Sequence, residues 1–416
     1  MSFFSSVCKR LIFFCGTTVI PFLASGQDSV LQGSAEYSVV GPLPGDQVFP
    51  RAALNASGGF LVWQDNASGR PASIINAVHL DASLRGLSPI RVNAVSKGNL
   101  QKPSVSLMKN NRTIFVWQGT ALGTPDIYFR ILGSNGVFVA PDVRINTVVK
   151  DAQINPAVSS LGDGAVVVWQ SYNQDGNLFG IYGRRVSATG KLVGSEISVN
   201  TGKGFNQRNP AVTELAGGNF IVTWITEQQR FENSVDVGGR LFTAAGLPAG
   251  PEFLINQGTN ICSKPSVAAL ANGGFTVVWS ERDSLSRSNG LDIVARGFSA
   301  DGTPSAGGAF RVNSFVYGDQ YEPSVAAVGN DCLAVWTSMG QDGSWEGVFG
   351  RLLTGGTRVG GSEFQINDTT ISRQIHGTVA ADGTGRFLVN WSSFAAVTSF
   401  DLFGKTYRIS PPAPQQ

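Results

Sequence analysis

The sequence predicts an all-β protein, a seven-bladed β-propeller whose ring is closed by its own N-terminal strand, and three observations lead there. Seven tryptophans, Trp63, Trp117, Trp169, Trp224, Trp279, Trp336 and Trp391, end apolar runs at successive gaps of 54, 52, 55, 55, 57 and 55 residues. Each gap carries the signals of four short strands, the content of one blade. The segment ahead of the first unit, Glu36-Tyr37-Ser38-Val39-Val40, matches the fourth strand, while the last unit ends after Asp401-Leu402-Phe403-Gly404-Lys405, which matches the third. The first segment therefore completes the last blade, and a ring closed in this way leaves no open sheet edge.

Within a unit the elements follow in order. A loop ends in Pro50, Pro103, Pro156, Pro210, Pro265 or Pro323, with Gly377 in the seventh copy, and a first strand follows it. A hairpin turn comes next, carrying dipeptides such as Asp163-Gly164, Asn272-Gly273 or Asp382-Gly383, which supply positive φ. The second strand is the run that ends in tryptophan, as in Ala165-Val166-Val167-Val168-Trp169. Its unbroken apolar and β-branched character fits a strand buried on both faces between stacked blades. A variable loop leads to the third strand, as in Asp126-Ile127-Tyr128-Phe129-Arg130. The fourth ends in Asn93, Asn146, Asn200, Asn256, Asn313 or Asn367.

The repeat fills residues 27–410. Ahead of it, Lys9 and Arg10 precede an apolar run from Leu11 to Leu23 and then Ala24-Ser25-Gly26, the pattern of a secretory signal peptide over residues 1–26. Residues 411–416 form a short Pro/Gln tail. A secreted, periplasmic or cell-surface location follows. The run is too short and interrupted for a membrane span, and no other apolar segment is long enough. With a net charge of +2 and no basic stripe, nucleic acid is not an expected partner. Past the leader only Cys262 and Cys332 remain, at strand ends expected on opposite rims, and are read as packed, unpaired thiols.

The repeats resemble the Gly- and Asp-rich repeats of secreted or surface-exposed bacterial proteins, often adhesin-like or calcium-associated chains. The resemblance rests on Val166-Val167-Val168-Trp169-Gln170-Ser171, Gln174-Asp175-Gly176 and Gly180-Ile181-Tyr182-Gly183-Arg184-Arg185, and on residues 337–351 with Gln341-Asp342-Gly343. It covers the chain past the leader and is strongest in the third and sixth blades; the other loops lack Gln-Asp-Gly. It implies surface display.

A cation recurs in the third strand of every unit: His79, Arg130, Arg184, Arg240, Arg296, Arg351 and Lys405. Asp126, Asp236, Asp292 and Asp401 stand four residues earlier, on the same strand face, where the two are expected to pair with each other or with neighbouring blades. A feature of every blade reads as architecture. Function is expected where the symmetry breaks, on the rim that carries the loops before the first strand and after the second. The ligand-binding candidates there are Asp175, Phe231, Tyr317, Tyr321, Asp342, Trp345 and Glu346, with Asn173, Arg230, Asp283 and Arg287 beside them. An exposed tryptophan next to acidic and amide groups suits a sugar ring. Calcium is a possible cofactor at Asp175 and Asp342, but each turn offers one carboxylate where calcium takes six to eight oxygens, so the turn chemistry of Asp-Gly is the simpler account. With only His79 and His376 in the chain, histidine-based catalysis has little material.

The sequence therefore reads as an exported, non-catalytic binding or adhesion module for a glycan or a protein. The alternatives are a carboxylate-dependent glycosidase or lyase on the same face and a structural surface component.

Overall fold

The computed structural model describes residues 30–66, 72–95, 98–282, 290–394 and 399–410. The leader, the tail, Asp283 and Arg287 lie outside the described residues. The chain forms seven antiparallel sheets in sequence order, the blades of a propeller. Blades 1 to 6 occupy residues 46–91, 100–144, 153–198, 207–254, 261–311 and 320–365, and blade 7 joins residues 374–410 to 30–38. Blade 6 shows the pattern: Gln320–Val328 innermost, then Asp331–Met339, Glu346–Thr354 and Arg358–Gln365 outermost.

The ring closes as the sequence predicts. In blade 7 the outermost strand is N-terminal: Val30–Gly33 pairs with Tyr407 to Ser410, and Tyr37 and Ser38 pair with Gly404 and Phe403. This is the register of Phe364 and Gln365 on Gly350 and Phe349 in blade 6.

The core lies between blades, not within them. Along the second strand of blade 3, Ala165, Val167 and Trp169 pack against blade 2, whereas Val166 and Val168 pack against blade 4. Side chains alternate across a strand, so a strand with a neighbour on both faces must be apolar throughout. The seventh cluster joins Leu388, Leu402 and Val39 of blade 7 to Leu61, Trp63 and Val78 of blade 1. The seven repeat tryptophans are at most 1% exposed; loss of one such side chain typically costs about 3–5 kcal/mol.

Three recurring polar ties explain the other repeated residues. Each Asn after the outermost strand accepts, on Oδ1, a third-strand N–H of its own blade at 2.6–2.9 Å. In blades 2 to 7 the third-strand cation reaches one blade back, to the carbonyl oxygen of Val92, Ile145, Val199, Ile255, Val312 or Ile366 at 2.8–3.2 Å. Finally, Asp142, Glu196, Glu252 and Glu363, in or directly before the outermost strands, accept N–H groups from the loop of the preceding blade, and N-terminal Glu36 does so for blade 7.

One expectation needs correcting. The strand Asp and the cation four residues on do not pair. They share a face but stand about 13 Å apart at 3.3 Å per residue. Asp126, Asp236 and Asp292 instead accept from Asn146, Asn256 and Asn313 of their own blades.

Candidate functional site

The innermost strands surround a central channel, and each carries a β-bulge near its start, at the X-Pro step (X-Gly in blade 7). The residue at X takes up a left-handed backbone in all seven blades: Phe49, Lys102, Asn155, Asn209, Lys264, Glu322 and His376, with φ between 43° and 59°. Bulges re-aim side chains, and these seven residues line a channel cavity of about 760 Å³. All seven are half-buried.

The ring has two chemically distinct arcs. In blades 5 to 7, Lys264 Nζ lies 2.5 Å from Glu322 Oε1 and His376 Nδ1 lies 2.7 Å from Glu322 Oε2. The His376 ring packs against Phe49 of blade 1 at a tilt of 35° with centroids 4.0 Å apart, and Lys102 Nζ of blade 2 sits 3.6 Å over the Phe49 ring. Blades 3 and 4 form the second arc, where Asn155 Nδ2 donates to Asn209 Oδ1 at 3.3 Å. The backbone N–H groups of these two asparagines are held by Gln118 and Gln170, each the residue after its blade's tryptophan.

The first arc is electrically crowded. Burial and the neighbouring cations Lys264 and Arg51, only partly offset by Glu322, push the Lys102 ammonium down to about 8. Burial also lowers Lys264 against the pull of Glu322. Glu322 is driven well below the usual carboxylate range: burial opposes this, but Lys264 and His376 together outweigh it. Burial lowers His376 despite its hydrogen bond to Glu322. A strongly perturbed cluster in a cleft makes these residues a candidate functional site.

On the loop-bearing rim above, the predicted residues divide. Tyr317, Trp345 and Phe231 are 75%, 69% and 44% exposed. Trp345 stands beside Ile371 and the Glu346–Arg373 ion pair: Ser372 N–H donates to Ser344 Oγ at 3.1 Å, and Arg373 donates to both Glu346 oxygens at 2.8 and 2.6 Å. Glu346, expected on an open loop, is only 2% exposed because it begins the third strand and carries this pair. Tyr321 is half-buried at the channel mouth, its hydroxyl 3.4 Å from Glu346 Oε1. Burial and the charge of Glu346 raise that hydroxyl's pKa. Asp175 and Phe231 lie on blades 3 and 4, away from this cluster on blades 6 and 7.

The Gln-Asp-Gly loops have an internal employment. Where other blades carry the strand Asp, blades 3 and 6 have Gly180 and Gly347. In blade 6 the loop Asp342 leans over Gly347 and accepts from Ser344 N–H at 3.0 Å and from Asn367 Nδ2 at 3.4 Å. Asp175 lies over Gly180 in the same way, its Oδ1 accepting from Asn177 N–H. Gln174 and Gln341 brace Glu196 and Glu363, which tie the blades together. Among the described residues, no group of three or more His, Cys, Asp and Glu side chains is arranged to hold a metal ion.

The rim aromatics were legible as isolated residues; the channel ring was not singled out. Its sequence signal is the residue before each repeated proline, constant in place and different in chemistry from blade to blade.

No protein-family model and no curated protein matches the chain. Solved structures do. They include a protein of unknown function from Dyadobacter fermentans, 12% identical over 91% of this chain and 99% of that one, with a TM-score of 0.57. An α-L-arabinanase of Penicillium chrysogenum solved with arabinobiose is 13% identical over 74% and 92% of the two chains, with a TM-score of 0.51. An endosialidase of phage phi92 is 11% identical over 94% and 70%, with a TM-score of 0.52. At such identities the likeness establishes the fold: the chain is an all-β, seven-bladed propeller.

Proposed function

We propose that the protein is an exported binding module that holds a glycan on its loop-bearing rim. The observation that carries this reading is Trp345, a large aromatic left 69% exposed on a loop held by the ion pair between buried Glu346 and exposed Arg373. A rigid, exposed ring offers a stacking face at little entropic cost. Exposed Ile371 extends the apolar surface beside it, and Tyr321, hydrogen-bonded to Glu346, leads from there to the channel. The similarity to an arabinanase and an endosialidase is compatible with a carbohydrate ligand. Surface display, which the resemblance of the repeats implies, is the setting in which such a module works.

The carboxylate-pair hydrolase has less support. Asp175, Asp342 and Glu346 are spent on backbone N–H groups, Asn367 and Arg373, whereas glycosidase chemistry needs two carboxyl groups facing substrate.

A glycan-array screen of the purified protein and of Trp345→Ala, each with calcium and with chelator, tests the proposal. Binding that Trp345→Ala abolishes without changing the melting temperature supports it; wild-type silence on every glycan overturns it. Loss of binding in chelator makes the Asp175 and Asp342 turns metal candidates, and persistence removes calcium from the account.

A further inference from the structure

The seven ring positions meet one backbone requirement with unequal residues. A left-handed conformation suits Asn and costs most other L-residues about 1 kcal/mol or more. Blades 3 and 4 meet it with Asn155 and Asn209. Histidine tolerates it better than most, but Phe49, Lys102, Lys264 and Glu322 accept the strain at four other positions, so backbone preference did not select them. Strain retained in a cavity points to the side chain it presents.

Their charges do not cancel. Arg51, Lys102 and Lys264 line the channel with Glu322, while Asp319 at the mouth is engaged by Arg282 and by the Leu291 N–H. Lys264 is committed to Glu322, and Arg51 Nη1 donates to the Pro50 carbonyl oxygen at 2.9 Å. Lys102 has no carboxylate partner among the described residues, only the face of Phe49. On the next two blades round the ring, Asn155 Oδ1 and Asn209 Nδ2 make no hydrogen bond to the described residues, leaving one acceptor and one donor open. The cavity, about 760 Å³, is of ligand-binding size. A confined excess of positive charge attracts an anion, and paired amide groups suit hydroxyls.

We propose that the channel ring binds the carboxylate of an acidic sugar residue, with Lys102 as its counter-ion and the Asn155–Asn209 arc facing its hydroxyls. This rests on the glycan reading above and names the ligand class.

Calorimetric titration of the purified protein with galacturonate, galactose, acetate and phosphate at low ionic strength tests it. Galacturonate is expected to bind about tenfold more tightly than galactose, the worth of one charged hydrogen bond. Lys102→Gln removes that advantage and leaves galactose unchanged, and Lys102→Arg restores it. Unchanged melting temperatures and near-ultraviolet circular dichroism verify the fold of both variants. Equal affinity for the two sugars, or galacturonate binding untouched by Lys102→Gln, overturns the inference while leaving rim binding at Trp345 intact. Lys102-dependent binding of acetate or phosphate, with neither sugar bound and the glycan array silent, overturns both readings together.

Discussion

Arg296 Nη1 donates to the carbonyl oxygen of Ile255 at 2.8 Å, from blade 5 across to blade 4, and Arg296 is only 8% exposed. Arg296→Met leaves that carbonyl buried without its partner and is expected to cost about 1–3 kcal/mol. Lys405 makes the same reach to Ile366 at 3.2 Å, so Arg296→Lys retains part of the loss. Urea unfolding of the two variants checks the order; equal losses would make packing, not the hydrogen bond, the cause.

Glu36 accepts from Asp368 N–H at 2.6 Å and from Thr369 N–H at 3.2 Å, as Glu363 does for Ser314 and Phe315. Glu36→Ala is therefore expected to destabilise the protein by about 1–2 kcal/mol, matching Glu363→Ala. A silent Glu36→Ala beside a damaging Glu363→Ala would show that the closing strand is not held as the others are.

Lys102 in the folded protein loses its proton near pH 8, whereas an unfolded lysine keeps it to about 10.4. Between these values the unfolded chain binds more protons, so the contribution of Lys102 to stability rises with pH across that window and is unfavourable below it. Lys102→Met is expected to be more stable than wild type at pH 7 by about 1 kcal/mol, allowing for water in the channel, with the difference vanishing towards pH 10.5. Melting temperatures of both proteins against pH measure it. The same deprotonation weakens binding of an anion as pH climbs through about 8.

Cys262 and Cys332 are free thiols buried in different inter-blade clusters. Burial pushes Cys332 up to about 12 and raises Cys262 as well. Since the thiolate is the reactive form, a thiol reagent at pH 8 is expected to leave both untouched in the native protein and to label both in denaturant. Native labelling would require an opening of blade 5 or 6 that the packing does not provide.

Much of the fold was readable because each blade repeats one physical problem. Trp63 and its six equivalents face the same inter-blade space, and Asn146 or Asn313 closes the same turn, so spacing alone exposes them. The match of Glu36 to Val40 with a fourth strand carried the closure. Chemistry was harder to read. A same-face rule placed Asp126 and Arg130 together, while the rise per residue separates them. Asp342 was legible as a loop carboxylate, whereas its place over Gly347, standing in for the missing strand Asp, was not. The channel ring escaped because the bulge that turns Lys102, Glu322 and His376 onto the axis is a backbone event, and the prolines that mark it were read as loop ends.

The closing strand sets the order in which the molecule can be made. Val30 pairs with Ser410, with all of blades 1 to 6 lying between them in the chain, so the outer edge of blade 7 is made long before the strand it pairs with. Such a distant pairing carries a large loop-closure entropy and high contact order, the mark of slow folding. Blade 7 is thus the last to assemble, and until then Asp401–Ser410 and Val30–Gly33 both present bare edges. A second copy in the same state can satisfy those edges reciprocally, so the ring's own closure is also its route to a strand-exchanged dimer at high concentration.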